Sequence, residues 1–93
     1  MELTSKIKNK EATIIDVRTA SEYQEGNSPG SIHIPLNEIP TRIDELRSMK
    51  KPLVLCCASG NRSGQAQQFL SQNGISDVYN GGSWMEIVQI QNN

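Results

Sequence analysis

Aromatic residues are scarce in this sequence, which has one Trp, two Tyr and one Phe among 93 residues. The apolar interior must therefore be built from Ile, Leu and Val side chains. A chain of this length buries roughly 60 to 70% of the surface that its unfolded form exposes. We expect one domain, residues 1–93, that folds without disulfide or metal support and has modest stability.

Charge excess and long apolar segments are also missing. Nine Lys and Arg residues stand against ten Asp and Glu residues, and no basic tract is present that could follow a phosphate backbone. The sequence has no run of roughly eighteen apolar residues, and its first residues lack the apolar stretch of a signal peptide. We therefore expect a soluble, cytoplasmic monomer that binds neither nucleic acid nor membrane.

Cysteine and histidine are nearly absent. Cys56 and Cys57 are the only cysteines and are adjacent, and His33 is the only histidine. Adjacent cysteines suit neither a disulfide that closes a loop nor a zinc site, whose paired ligands are usually separated by about two to four residues. The remaining roles for the two thiols are packing in the core and chemical reactivity.

Short apolar runs alternate with helix-like polar segments, which predicts an α/β fold with a mostly parallel sheet of four or five strands. Thr19 with Glu22, and Ser83 with Glu86, have the spacing of a capping box at a helix start. Gly74 is the expected end of the longest helix. The predicted strands are residues 12–17, 31–34, 52–56 and 77–79. The predicted helices are residues 2–10, 19–26 and 62–73, and one that follows Gly81 and Gly82. A further helical stretch begins after Pro35, could be divided by Pro40, and puts Leu36, Ile39, Ile43 and Leu46 on one face.

The third predicted strand leads into a short polar loop and a helix, with Cys57 at the junction. A small-residue loop at a helix N-terminus leaves several backbone N–H groups unpaired and directed at one point. These amides, the helix dipole and the nearby Arg62 guanidinium favour a negative charge and lower the pKa of a cysteine thiol there. Cys57 is therefore a candidate nucleophile in an anion-binding loop.

Four segments of the chain occur together in a known family. They are Ile15-Asp16-Val17-Arg18 with Glu22-Tyr23, then Pro29-Gly30-Ser31-Ile32-His33-Ile34-Pro35, Cys57-Ala58-Ser59-Gly60-Asn61-Arg62-Ser63, and Gly81-Gly82 with Trp84. With these segments the chain resembles a single-domain rhodanese, a sulfurtransferase that carries sulfur as a cysteine persulfide. The resemblance implies a three-layer rhodanese-like fold and a sulfur donor such as thiosulfate. It also implies an acceptor such as cyanide, a thiol or a protein, and no metal or organic cofactor.

The resemblance assigns roles to the central loop. It makes Cys57 the sulfur-bearing nucleophile, and it makes the segment that follows a substrate-binding loop whose amides surround the outer sulfur. That loop consists of Ala58, Ser59, Gly60, Asn61 and Arg62, with Ser63 beside it. Where the family commonly has Gly-His-Ile-Pro-Gly, this chain has Gly-Asn-Ser-Pro-Gly at residues 26–30.

Two residues of the loop have alternative roles. Arg62 could clamp the substrate anion or pair with a carboxylate, and it could do both. Ser63 could cap the helix, lie in its first turn, or supply a catalytic hydroxyl. Cys56 continues the strand and is expected to point away from Cys57 and to be inert, with a resolving thiol as the alternative.

Residues outside the loop have structural interpretations. Asp16 and Arg18 lie at the end of the first predicted strand, where a catalytic pair is conceivable. The resemblance implies a structural charge pair instead, and one carboxylate beside one guanidinium gives no acid and base pair. Trp84 is expected to pack beside the active-site edge. Nothing in the spacing places His33 within reach of Cys57 as a catalytic base.

Two rival functions remain open. Five residues separate Cys56 from Arg62, which is the spacing of the cysteine phosphatases and related arsenate reductases. Leu55 stands where such a phosphatase has histidine, and only four residues lie between Cys57 and Arg62. The other rival is a rhodanese-like binding module without catalysis.

Overall fold

The computed structural model of the chain describes residues 2–93. Its elements are α1 (Leu3–Lys8), β1 (Thr13–Asp16), α2 (Ala20–Glu25), β2 (Ile32–His33), a 3-10 helix (Leu36–Arg42), α3 (Ile43–Ser48), β3 (Leu53–Cys57), α4 (Asn61–Gln72), β4 (Val78–Ser83) and α5 (Trp84–Asn92). The four strands form one parallel sheet in the order β2-β1-β3-β4. The predicted α/β fold is confirmed, with four strands. None of the helices in residues 2–93 is long and apolar enough to span a bilayer.

Strand β3 is central and buried along its whole length. Its side chains alternate between two apolar clusters because successive residues of a strand point to opposite faces. Leu55 and Cys57 belong to the cluster that α3 and α4 cover, whereas Val54 and Cys56 belong to the cluster between the sheet and helices α1 and α5. The two cysteines therefore lie on opposite faces of the sheet.

Local sequence signals account for several helix starts. Both predicted capping boxes are confirmed, at Thr19 and at Ser83. Leu36, Ile39, Ile43 and Leu46 all contact the core cluster on the α4 side, as their spacing predicts. Pro40 lies inside the 3-10 helix, and regular α-helix begins only at Ile43.

The last strand is longer than predicted. The sequence predicts a strand at residues 77–79, but β4 continues through two glycines to Ser83. Gly81 is an extra residue opposite β3, because Leu55 pairs with Asn80 and Cys56 pairs with Gly82. A Cβ atom on Gly81 would lie 2.6 Å from a methyl carbon of Val54. A pair of glycines usually marks a turn, but here they form a β-bulge that keeps β4 beside the end of β3.

Candidate active site

Cys57 is the last residue of β3, one residue beyond the predicted end of that strand. The exposed residues Ala58 and Ser59 follow it, and α4 begins at Asn61 with Gly60 as its N-cap. Only 1% of the Cys57 surface is exposed. The loop and the first turn of α4 therefore enclose the sulfur. The polar residues Ser59 and Asn61, which predicted an exposed loop, lie at the surface.

Hydrogen-bonding groups of the loop and of α4 surround the Cys57 sulfur. The backbone N–H of Gly60 donates to Sγ at 3.0 Å, and that of Ser63 donates at 3.5 Å. The Ser63 hydroxyl oxygen lies 3.4 Å from Sγ. Gly60 has a φ of +99°, and a Cβ atom there would lie 3.2 Å from the Cα of Gly82. Glycine is therefore needed at residue 60 for the turn that directs its N–H at the sulfur.

The pKa of the Cys57 thiol reflects two opposing effects. Burial of the sulfur raises the pKa, because the charged thiolate is less well solvated. Hydrogen bonds from the Ser63 hydroxyl and from the amides of Ser63, Ser59 and Gly60 outweigh burial and lower the pKa to about 7. A substantial fraction of Cys57 is therefore thiolate near neutral pH, which is the nucleophilic form.

Cys56 has a different environment. It is fully buried, and its neighbours in the second cluster include Ile14, Val54 and Ile87. Burial first, and then the charge of Asp16, raise the pKa of its thiol to about 12. A neutral thiol on the opposite face of the sheet from the loop is a poor nucleophile. This placement argues against the alternative in which Cys56 carries out phosphatase chemistry.

Arg62 pairs with a carboxylate, which is one of its two predicted roles. Its guanidinium donates to Glu22 Oε1 at 2.7 Å and to Oε2 at 3.0 Å. These bonds, and those from Thr19, lower the pKa of Glu22 to about 2. Arg62 also lines a largely apolar groove of about 450 Å³ together with Val17 and Leu36. The ion pair joins α2 to the first turn of α4 at the rim of this groove.

Replacing Glu22 with glutamine is expected to make the free energy of unfolding less dependent on pH under acidic conditions. The carboxyl pKa is about 2 in the folded protein and 4.5 ordinarily. The ion pair therefore contributes its full stabilisation above pH 4.5 and loses it as the pH falls toward 2. Urea unfolding of wild type and Glu22→Gln between about pH 6 and 2 measures this difference. Glu25→Gln, an exposed change in the same helix, is the control, and parallel curves for wild type and Glu22→Gln would contradict the assignment.

Asp16 and Arg18 form a buried ion pair at the end of β1. Arg18 Nε donates to Asp16 Oδ1 at 3.0 Å, and Nη2 donates to Oδ2 at 2.8 Å. Arg18 also donates to the Gly26 carbonyl oxygen at 2.7 Å, and its guanidinium carbon lies 4.6 Å from the centre of the half-buried Trp84 ring. The pair joins the end of β1 to the segment after α2 and to the start of α5.

His33 lies on the edge strand β2, which β1 separates from β3. Its Nε2 donates to the Arg18 carbonyl oxygen at 2.7 Å, and its ring stacks on Tyr23 with centroids 4.5 Å apart. These contacts engage the imidazole away from the Cys57 loop.

Asn80 is a site residue that sequence reasoning missed. Its Oδ1 accepts hydrogen bonds from the Ser63 hydroxyl at 2.7 Å and from the Gly82 N–H at 3.0 Å, and its Nδ2 donates to the Gly60 carbonyl oxygen at 2.9 Å. An asparagine before two glycines reads as a turn signal in sequence. Only the bulged pairing of β4 with β3 brings this side chain to the loop.

Comparisons with known proteins identify the family and the fold of the chain. The family model for the rhodanese-like domain matches residues 1–88. The thiosulfate sulfurtransferase PspE of Escherichia coli (strain K12) is 39% identical over 74 residues, which are 78% of this chain and 71% of PspE.

Two further similarities concern length and fold. The uncharacterized protein YqhL of Bacillus subtilis (strain 168) is 39% identical over 71 residues, which are 76% of this chain and 56% of YqhL, so the chain spans little more than half of that relative. The structure of the human single-domain sulfurtransferase TSTD1 superposes with a TM-score of 0.75 at 28% identity, covering 94% of this chain and 89% of TSTD1.

Proposed function

The chain belongs to the rhodanese-like family, and on that basis we propose that it is a sulfurtransferase in which Cys57 carries the transferred sulfur. The observation that carries the proposal is the sulfur of Cys57 held among the Gly60 and Ser63 donors, with a pKa of about 7. The similarity to PspE, which is named as a thiosulfate sulfurtransferase, supports the same activity.

The first step of the proposed reaction loads sulfur onto the enzyme. The Cys57 thiolate attacks the outer sulfur of thiosulfate, and a new S–S bond forms as the S–S bond of thiosulfate breaks. The electron pair of the broken bond leaves with sulfite, and the enzyme keeps a persulfide anion. We expect the amides that donate to the Cys57 sulfur to stabilise the negative charge on the outer sulfur as well.

The second step returns the enzyme to its thiolate form. Cyanide or a thiolate attacks the outer sulfur of the persulfide, and the electron pair of the Sγ–S bond returns to Cys57. The groove that Arg62 lines is the candidate binding surface for the acceptor, because Arg62 is the last residue of the loop. Neither step requires a metal or an organic cofactor.

The dimensions of the loop favour sulfur over phosphate as the group transferred. Only residues 58–61 lie between Cys57 and Arg62, and the N–H groups of Gly60 and Ser63 both point at the Cys57 sulfur. The guanidinium that would bind a phosphate oxygen is held by Glu22 in a two-bond ion pair. A phosphatase would need a wider loop and a free guanidinium.

The rate of the loading step is expected to rise with pH through about 7, because only the Cys57 thiolate attacks thiosulfate. Sulfite released in a single turnover without acceptor measures this step alone. A rate that stays constant across this range would contradict the assignment of the thiolate as the attacking group. Absence of sulfite at every pH would show that thiosulfate is not the donor, and a Cys57 that takes no sulfur from a persulfide either would favour a binding module. Hydrolysis of p-nitrophenyl phosphate that requires Cys56 would favour a phosphatase.

A further inference from the structure

The side-chain amide of Asn80 has only one orientation that satisfies its backbone partners. Its Nδ2 faces the Gly60 carbonyl oxygen, which can only accept, and its Oδ1 faces the Gly82 N–H, which can only donate. A Cβ atom on Gly64 would lie 3.1 Å from Nδ2, so the amide lies close against a glycine of α4. Backbone contacts on both sides therefore set the position and direction of Oδ1.

This orientation determines what the Ser63 hydroxyl does. Oδ1 of Asn80 is an acceptor 2.7 Å away, so Ser63 donates its single proton to Asn80. The Ser63 oxygen then has only lone pairs to offer the Cys57 sulfur 3.4 Å away, and it accepts from the thiol S–H. This arrangement of donors and acceptors is the one that a protonated Cys57 thiol requires.

Ionisation of Cys57 changes which atoms compete for the Ser63 hydroxyl proton. An anionic sulfur has no proton to donate, so Sγ and Asn80 Oδ1 become two acceptors for one hydroxyl proton. A hydrogen bond to a charged acceptor is the stronger one, so the hydroxyl turns to Sγ. Asn80 Oδ1 keeps its bond from the Gly82 N–H and is not left unpaired.

We propose that Asn80 is a positioning residue for Cys57, and that it forms with Ser63 a two-position hydroxyl switch. The Ser63 proton lies on Asn80 while Cys57 is a thiol and on Sγ when Cys57 is a thiolate. The neutral amide is suited to this role because it holds the hydroxyl weakly enough to release it. Its Nδ2 also holds the carbonyl oxygen of Gly60, the residue whose own N–H faces the sulfur. The inference rests on the proposed function in assigning Cys57 as the nucleophile.

Other titratable or charged groups lie on the elements packed around this network. They are Cys56 in β3, Arg62 of α4 with Glu22 of α2, the Asp16–Arg18 pair after β1, Glu86 of α5, and Asp77 before β4. His33 on β2 faces Tyr23 and the Arg18 carbonyl. The pKa values of Glu22 and Cys56 are about 2 and about 12, so neither group changes charge when Cys57 titrates near 7.

Asn80→Asp tests the switch. A carboxylate has nearly the same shape as the amide, but it accepts the Ser63 hydrogen bond more strongly. It also adds a negative charge that only the Ser63 hydroxyl separates from Sγ, and it cannot donate to the Gly60 carbonyl oxygen. All three changes disfavour the thiolate. We expect the pH midpoint of Cys57 alkylation by iodoacetamide, followed by peptide mass, to rise by about one unit, so that alkylation at acidic pH slows about tenfold.

Asn93→Asp, the same change at the far end of α5, is the control and is expected to keep the wild-type midpoint. A midpoint for Asn80→Asp equal to that of the control would overturn the proposal. Alkylation needs no sulfur transfer, so a protein that fails to take sulfur from thiosulfate still reports on the switch.

A measurement on the wild-type protein keeps the test independent of how well Asn80→Asp folds. In ¹⁵N NMR spectra, the side-chain amide signals of Asn80 are expected to shift at the Cys57 midpoint. Ser63→Ala is expected to remove most of that shift, whereas an effect of thiolate charge through space would persist in this variant. Signals of Asn80 that do not move in wild type, or that move equally in Ser63→Ala, would overturn the proposal.

Discussion

Changing Cys57 to serine is expected to lower the rate of thiocyanate formation from thiosulfate and cyanide by more than about a thousandfold. A serine hydroxyl is not ionised near neutral pH and cannot hold a transferable sulfur as a persulfide. The loop is expected to keep its shape, because serine is close to cysteine in size and can accept the same Gly60 and Ser63 hydrogen bonds. The loss should therefore appear in turnover and not in the unfolding temperature.

Cys56→Ala is the matched control for this prediction. Cys56 lies on the opposite face of β3, so its removal leaves the loop donors in place. We expect turnover within about threefold of wild type, with a lower unfolding temperature because a small cavity opens in the second cluster. Loss of turnover in a folded Cys56→Ala protein, or wild-type turnover in Cys57→Ser, would contradict the assignment of Cys57.

Changing Asp16 to alanine is expected to cause the largest loss of stability among single changes near the site. Asp16 is fully buried, and Arg18 is 4% exposed. Removing the carboxylate leaves a buried guanidinium with its charge unpaired, which costs about 3 to 5 kcal/mol. Domains of this kind are stable by only about 5 to 15 kcal/mol, so the variant is expected to unfold at a much lower urea concentration.

The double variant Asp16→Leu with Arg18→Met separates the unpaired charge from general loss of packing. It removes both charges and keeps apolar atoms at both positions, so we expect it to recover most of the stability that Asp16→Ala loses. Urea unfolding of the two variants beside wild type measures the difference. If the double variant is as unstable as Asp16→Ala, the stabilisation comes from the hydrogen bonds of Arg18 to Gly26 and Glu22 and not from charge pairing.

Sequence reasoning succeeded where the signal is local. The capping boxes at Thr19 and Ser83 depend on residues three positions apart, and the buried face of Ile39 and Leu46 follows from helical spacing. The opposite directions of Cys56 and Cys57 follow from the alternation of a strand. The strand, loop and helix around Cys57 were recognisable for the same reason, since a few neighbouring residues specify them.

Sequence reasoning left a choice open, or missed a residue, where contacts join distant parts of the chain. Arg62 pairs with Glu22 forty residues away, and no local pattern distinguishes this partner from a substrate anion. Asn80 reaches Gly60 and Ser63 because Gly81 forms a bulge against β3, and in sequence the glycines indicate a turn. Tertiary packing, which periodicity does not encode, decided both cases.

The most direct measurement is the intact mass of the protein after incubation with thiosulfate under non-reducing conditions, before and after cyanide is added. If Cys57 carries sulfur, the wild-type protein gains the mass of one sulfur atom, cyanide removes it, and peptide mapping places it on Cys57. A protein that gains no sulfur from thiosulfate or from a low-molecular-weight persulfide, or that gains it on Cys56, would contradict the proposed sulfur transfer through Cys57.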